Sequence, residues 1–156
     1  MDRSQSARLR PLSKTMPGPA HLRHYAGHRV VAWQPHGVLD DRLLDEIAEW
    51  LLVIEKISLP VNRFIDFSCL TRISLSIGHV FAVARERAEK YRGVTPIKSA
   101  FFCDKLVGFG MARLYEALME NTPIKARAFR DRASAAKWLG VPVEILNLED
   151  EPVSHR

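Results

Sequence analysis

The stretch Val61-Asn62-Arg63-Phe64-Ile65-Asp66-Phe67-Ser68-Cys69-Leu70, followed by Ser74-Leu75-Ser76-Ile77-Gly78, decides the reading of the fold. Its apolar run is short and turns polar at Asp66-x-Ser68, the pattern of a buried strand. A short serine-rich loop then leads into an amphipathic helix, for which Ser74 or Ser76 supplies a cap. Ligands bind at the carboxyl ends of strands in open α/β sheets. Asp66 and Ser68 are therefore candidates to contact a ligand or partner, and the same side chains would serve equally to satisfy loop amides.

Before this strand, His24–Arg29 and Val30–Pro35 read as a hairpin with Gly27 near its turn, stopped by Pro35-His36-Gly37. Asp40 or Asp41 caps a helix whose apolar positions Leu43, Leu44, Ile47, Leu51 and Ile54 recur at helical spacing. After it, a helix is expected over about Ser76–Arg92, with Val80, Phe81, Ala84, Ala88 and Tyr91 inward and Gly93 closing it. Ile97–Phe102 is a strand, Leu106–Asn121 a helix and Ile124–Phe129 a strand. Asp131 caps a short helix that ends at Gly140, and Val141–Glu144 reads as a marginal strand.

Strand–helix alternation forces parallel strands, and the hairpin contributes one antiparallel edge strand. The expected fold class is α/β: a single mixed five-stranded sheet, four strands mainly parallel, with about four helices. One domain over 23–145 follows a disordered basic lead over 1–22 and precedes a flexible tail over 146–156. Met16, ahead of the structured body, is a candidate true start.

No apolar run approaches the roughly 18 residues that cross a bilayer, so no membrane span is expected. The net charge of +5 lies in the first 29 residues, which hold six basic side chains against Asp2 alone. The remaining basic and acidic residues cancel, so nucleic acid is not an expected partner of the body. Cys69 and Cys103, both in apolar stretches, suit a reducing cytoplasm and inert thiols.

Element order, the strand ending Ile65-Asp66-Phe67-Ser68, the helix Gly110-Met111-Ala112-Arg113-Leu114-Tyr115 and the closing Phe129-Arg130-Asp131 with Ala135 and Trp138-Leu139 together resemble the SpoIIAA-like proteins of the STAS-domain group. The likeness spans roughly residues 23–140. It implies a cytoplasmic, non-catalytic signalling or ligand-binding module, and a related fold serves lipid-transfer CRAL-TRIO proteins. In phosphorylated STAS domains an Asp-Ser-Ser-Gly signature follows the strand. Here it falls on Ser74-Leu75-Ser76-Ile77, which places Ser76 at the acceptor position, with Gly78 one residue late. Ser76, together with Ser74, is thus either a phosphoacceptor or a helix cap, and Arg72 is near enough to pair with a phosphate.

Gly108-Phe109-Gly110 opens a helix after a strand, which allows either anion contact through exposed amides or close packing of helix on sheet. Position 113 of a dinucleotide fingerprint is arginine. His21, His24, His28 and His36 are irregularly spaced and lack a cysteine or carboxylate cluster, so no metal is expected. No nucleophile elbow, metalloprotease helix or P-loop is present. The expectation is a regulatory or protein-interaction domain with no catalytic residue and no cofactor, self-association as a homodimer being one mode. The alternative is a carrier or sensor of a small apolar or lipid-like ligand, held between sheet and helices.

Overall fold

The computed structural model describes residues 19–57 and 60–148. The candidate start at Met16, most of the basic lead and the tail beyond 148 lie outside the described residues. Strands β1 (Leu22–Tyr25) and β2 (Val30–Trp33) form the antiparallel hairpin, joined through a 3-10 turn at Ala26–His28. β2 then pairs in parallel with β4 (Asn62–Asp66), β4 with β6 (Ile97–Phe102), and β6 with β7 (Ile124–Phe129). The sheet order is β1-β2-β4-β6-β7, the mixed five-stranded sheet with one antiparallel edge. Every residue of β2 is buried, as a strand covered on both faces requires.

A second, two-stranded parallel sheet was not foreseen: β3 (Gly37–Asp40) pairs with β5 (Leu70–Ser74), Leu39 opposite Ile73. The serine-rich loop is therefore shorter than expected, and Ser74 is the last residue of a strand. Both strands are brief and mostly polar outward, so neither stands out in the sequence from a loop.

Helix α1 (Asp41–Ile57) starts at Asp40, whose Oδ1 accepts from the Leu43 amide at 2.9 Å. It buries Ile47, Trp50 and Leu51. Helix α2 (Ile77–Lys90) buries Val80, Val83 and Ala84, whereas Phe81, expected inward, is 40% exposed. The 3.6-residue period explains the correction, because positions 80, 83, 84 and 87 share one stripe and 81 lies about 100° from its start. Helix α3 (Leu106–Leu118) sets Gly108 and Ala112 against the sheet, and α4 (Arg132–Leu139) buries Ala135, Ala136 and Leu139. Asp131 caps α4 by accepting from the Ser134 amide at 2.7 Å, and Gly140 ends it at φ +76°, a left-handed conformation suited to glycine. In place of the marginal strand expected over 141–144 there is a 3-10 turn, Val143–Leu146. Pro142 has no N–H for a ladder, and the turn drops Leu146 into the core, where Leu148 joins it.

Strand alternation divides the interior. Val30, Ala32, Phe64, Ala100 and Phe102 pack under α4, while Val31, Trp33 and Phe67 belong to the core that α1 and Ala112 of α3 cover. Fully burying a Phe64-sized side chain stabilises the fold by roughly 1.5–3 kcal/mol.

Candidate ligand-binding site

The β4 stretch Arg63-Phe64-Ile65-Asp66 carries a charge on each face of the sheet, and both charges are buried: Arg63 is 3% exposed and Asp66 0%. Burying a charge is unfavourable unless it is paired and hydrogen-bonded, so the partners of these residues define two distinct sites.

On the α1–α3 face, strand register aligns Val31 with Arg63 and Arg63 with Ser99, and in the next row Trp33 with Ile65 and Ile65 with Phe101. Arg63, Ser99, Trp33, Ile65 and Phe101 of these rows floor a cavity of ≈ 90 Å³ roofed by Leu51 of α1, Val83 and Arg87 of α2, and Ala112 and Tyr115 of α3. Phe101 meets Tyr115 edge-on at 5.6 Å. At one end, Arg63 Nη2 donates to Glu55 Oε1 at 2.9 Å and to Tyr91 Oη at 3.0 Å, and its guanidinium lies over the Tyr91 ring. Glu55 also accepts from the Val61 amide at 3.0 Å and from the Tyr91 hydroxyl. Burial raises the Tyr91 phenol above its ordinary value; Arg63 opposes the shift and the bond to Glu55 adds to it. Glu55 is thus well supplied with donors. Arg63 is not supplied with acceptors to match, because its Nε is buried without a partner.

On the α4 face, Asp66 takes every contact it can use. Its Oδ2 accepts from Arg132 Nη2 at 2.8 Å, Arg132 Nε at 3.2 Å and Gln34 Nε2 at 3.1 Å, and its Oδ1 from the Ser68 amide at 2.8 Å. Arg132 stacks over Phe102, 4.6 Å from the ring centre. Gln34 passes the network to His36 at 3.1 Å, and the His36 ring stacks on His21 at 3.7 Å. Burial, then the His36 charge, lower the His21 pKa. No group of three His, Cys, Asp or Glu among the described residues is placed to hold a metal ion.

The remaining sequence candidates are scattered. Ser68 is drawn into the Asp66 turn, with its carbonyl accepting from Lys105 Nζ at 3.2 Å. Ser76 caps α2: its Oγ accepts from the His79 amide at 3.3 Å and donates to Asp41 Oδ2 at 3.0 Å. Its amide donates to Asp41 Oδ1 at 3.0 Å, so Asp41 clasps the start of α2 while Asp40 caps α1. Asp45 and His79 add a second clasp at 2.8 Å. Ser74 and Arg72 lie exposed on β5. The glycines differ: a Cβ on Gly108 would sit 3.2 Å from Phe67 Cδ2, whereas one on Gly110 would meet open space. Close packing therefore accounts for Gly108 alone. Cys103 is buried and its thiol pushed up to about 12, chiefly by burial; Cys69 is partly exposed, and both thiols are free.

Sequence reasoning quoted Arg63 without weighing it, and it missed Glu55, Tyr91, Ser99, Arg87 and Arg132. The available signal was a lone arginine inside a strand too apolar to face water, which demands a carboxylate from a neighbouring element.

No helix among the described residues is long and apolar enough to cross a membrane. No protein-family model matches the chain, and no curated protein matches it either. Among solved structures, the chain is similar to an uncharacterized protein of the DUF3478 family with a SpoIIAA-like fold from Shewanella loihica. The two share 15% identity over 76% of this chain and 90% of that one, with a TM-score of 0.48.

Proposed function

We propose that the chain is a non-enzymatic regulatory domain of the cytoplasm that responds to a small ligand held between the sheet and α1–α3. The carrying observation is the cavity of ≈ 90 Å³ whose wall includes Arg63 with a buried, unpartnered Nε–H. Buried donors are nearly always paired, and an unpaired one costs about 1–3 kcal/mol. A ligand acceptor would remove that cost. The volume also limits how much of a ligand is enclosed: about 150 Å³ is the scale of a cavity that holds benzene, so the ≈ 90 Å³ here takes in only a short apolar stretch. What suits the space is a molecule or tail of a few carbon atoms.

The test combines mass spectrometry of small molecules released from natively purified protein with NMR titration of the full chain. Ala112→Leu adds three carbons, each displacing about the 30 Å³ of one water in the liquid, and so fills the cavity from α3. Released ligand and shifts at Ser99 and Ala112, lost in Ala112→Leu with the fold retained, are expected. Binding that survives Ala112→Leu unchanged, or shifts that bypass these residues, would refute the reading.

One observation favours a second reading, a protein-interaction domain. Leu106 and Val107, at the start of α3, are 75% and 67% exposed, and Ile77 on α2 is also exposed. Partner capture that is abolished by Leu106→Lys and Val107→Lys would support this reading, as would loss of a homodimer in light scattering. Unchanged capture and mass would count against it.

A further inference from the structure

Resting on the ligand-binding reading, we propose that the ligand is a short aliphatic carboxylate, with its head on Arg63 and Arg87 and about three carbons in the apolar space. Four observations on one face carry this. Arg63 and Arg87 are the charged residues of the wall, and no Asp or Glu among the described residues lines it. Glu55 offsets Arg63 from behind and is already held by Val61, Tyr91 and Arg63 itself. That leaves the Arg87 charge facing the cavity without a counter-ion in the wall, so the site as a whole favours an anion.

The Arg63 Nε–H is a donor without an acceptor, and Ser99, the register partner of Arg63 on β6, offers a hydroxyl from the same wall. A carboxylate accepts from several donors at once and forms stronger bonds with guanidinium than a neutral oxygen does. The rest of the wall is aliphatic and aromatic, including Leu51, Ile65, Val83 and Phe101. At about 30 Å³ for each water-sized group, ≈ 90 Å³ accommodates roughly the three aliphatic carbons of the tail, and the carboxylate is assigned to the part of the pocket that is open, at the arginines. Butyrate is therefore the matched probe. 1-Butanol is its neutral counterpart, and octanoate is too long.

The experiment is an NMR titration of the full chain with sodium butyrate, 1-butanol and sodium octanoate, followed at the Ser99 and Ala112 amides. Butyrate is expected to bind about tenfold more tightly than 1-butanol or octanoate. Arg63 is tied into the core, so the informative variant is Arg87→Gln, at a half-buried helix position. It is expected to bring butyrate to within about threefold of 1-butanol and to leave 1-butanol unchanged. If 1-butanol binds as well as butyrate, if octanoate binds more tightly, or if Arg87→Gln has no effect, the carboxylate assignment is overturned while the cavity reading stands. If no probe, charged or neutral, moves these amides, the assignment and the cavity reading fall together.

Discussion

Replacing Asp66 with alanine is expected to destabilise the protein by about 3 kcal/mol, through the network rather than through lost packing. Asp66 is fully buried and accepts from Arg132, Gln34 and the Ser68 amide. Truncating one partner of a buried ion pair typically costs about 3–5 kcal/mol. Arg132 sits at the lower end of that range, since its side chain is 22% exposed and water can reach it when Asp66 is gone. Gln34, at 2% exposed, has no such recourse, and a stranded buried donor costs about 1–3 kcal/mol. For a chain of this size the loss corresponds to a Tm lowered by roughly 10 °C. Asp66→Asn keeps the shape and one acceptor for the Ser68 amide, but it points an amide N–H at Arg132, so about half the loss is expected. The assay is urea unfolding of Asp66→Ala, Arg132→Ala and the double variant. A coupling of at least about 1 kcal/mol between the two positions is expected. A loss below about 1 kcal/mol for Asp66→Ala, or additivity in the cycle, would refute the argument that this carboxylate organises the α4 face.

Ser76→Ala should cost about 1 kcal/mol as a lost cap. Ser76→Asp should cost at least as much, because it sets a second carboxylate against Asp41, 3.0 Å from the native Oγ. Restoration of urea stability by Asp41→Asn in the Ser76→Asp background would establish the cause, and failure to restore it would remove the explanation. Within α3, Gly110→Ala should raise stability by about 0.5–1 kcal/mol through helix propensity. Gly108→Ala should fall about 1 kcal/mol or more behind it, since its Cβ would press on Phe67 inside the core; equal unfolding midpoints would contradict the packing account. At alkaline pH, Cys103 and Tyr91 act in the same direction. The thiol is raised from 9.0 to about 12 and the phenol is raised from 10.0, so burial holds both acids neutral in the fold. Their contribution is full below the unfolded values and is lost as pH rises through the folded ones. Stability should therefore decline between about pH 9 and 12, with a shallower decline in Cys103→Ala; an unchanged slope in that variant would exclude the thiol as a cause.

The main sheet was legible because its strands are short runs rich in apolar residues, alternating with helices that carry visible caps. Asp131 and Gly140 bracket α4 in the sequence as they do in the structure. The β3–β5 pair was hidden because Gly37–Asp40 and Leu70–Ser74 are short, half exposed and joined only by a long-range pairing that no local pattern announces. Phe81 misled because aromatic residues are assumed inward, while the burial of α2 follows position on the helix, and Phe81 is off the buried stripe. At the sites, Asp66 was picked out by its place at a strand end. Arg63 was passed over because an arginine is usually read as a surface residue.

That asymmetry separates the two sites. Asp66 and Arg63 stand three residues apart on one strand and face opposite ways, each buried and each charged. Asp66 has as many donors as its two oxygens readily accept, so a ligand arriving there would have to displace an internal partner and would gain little. Arg63 lines a cavity and keeps a surplus donor, so a ligand acceptor brought to that donor would add a bond without displacing an internal partner. The network at the strand's carboxyl end is satisfied internally, and the proposed ligand site lies at the strand's other buried charge, under α2 and α3.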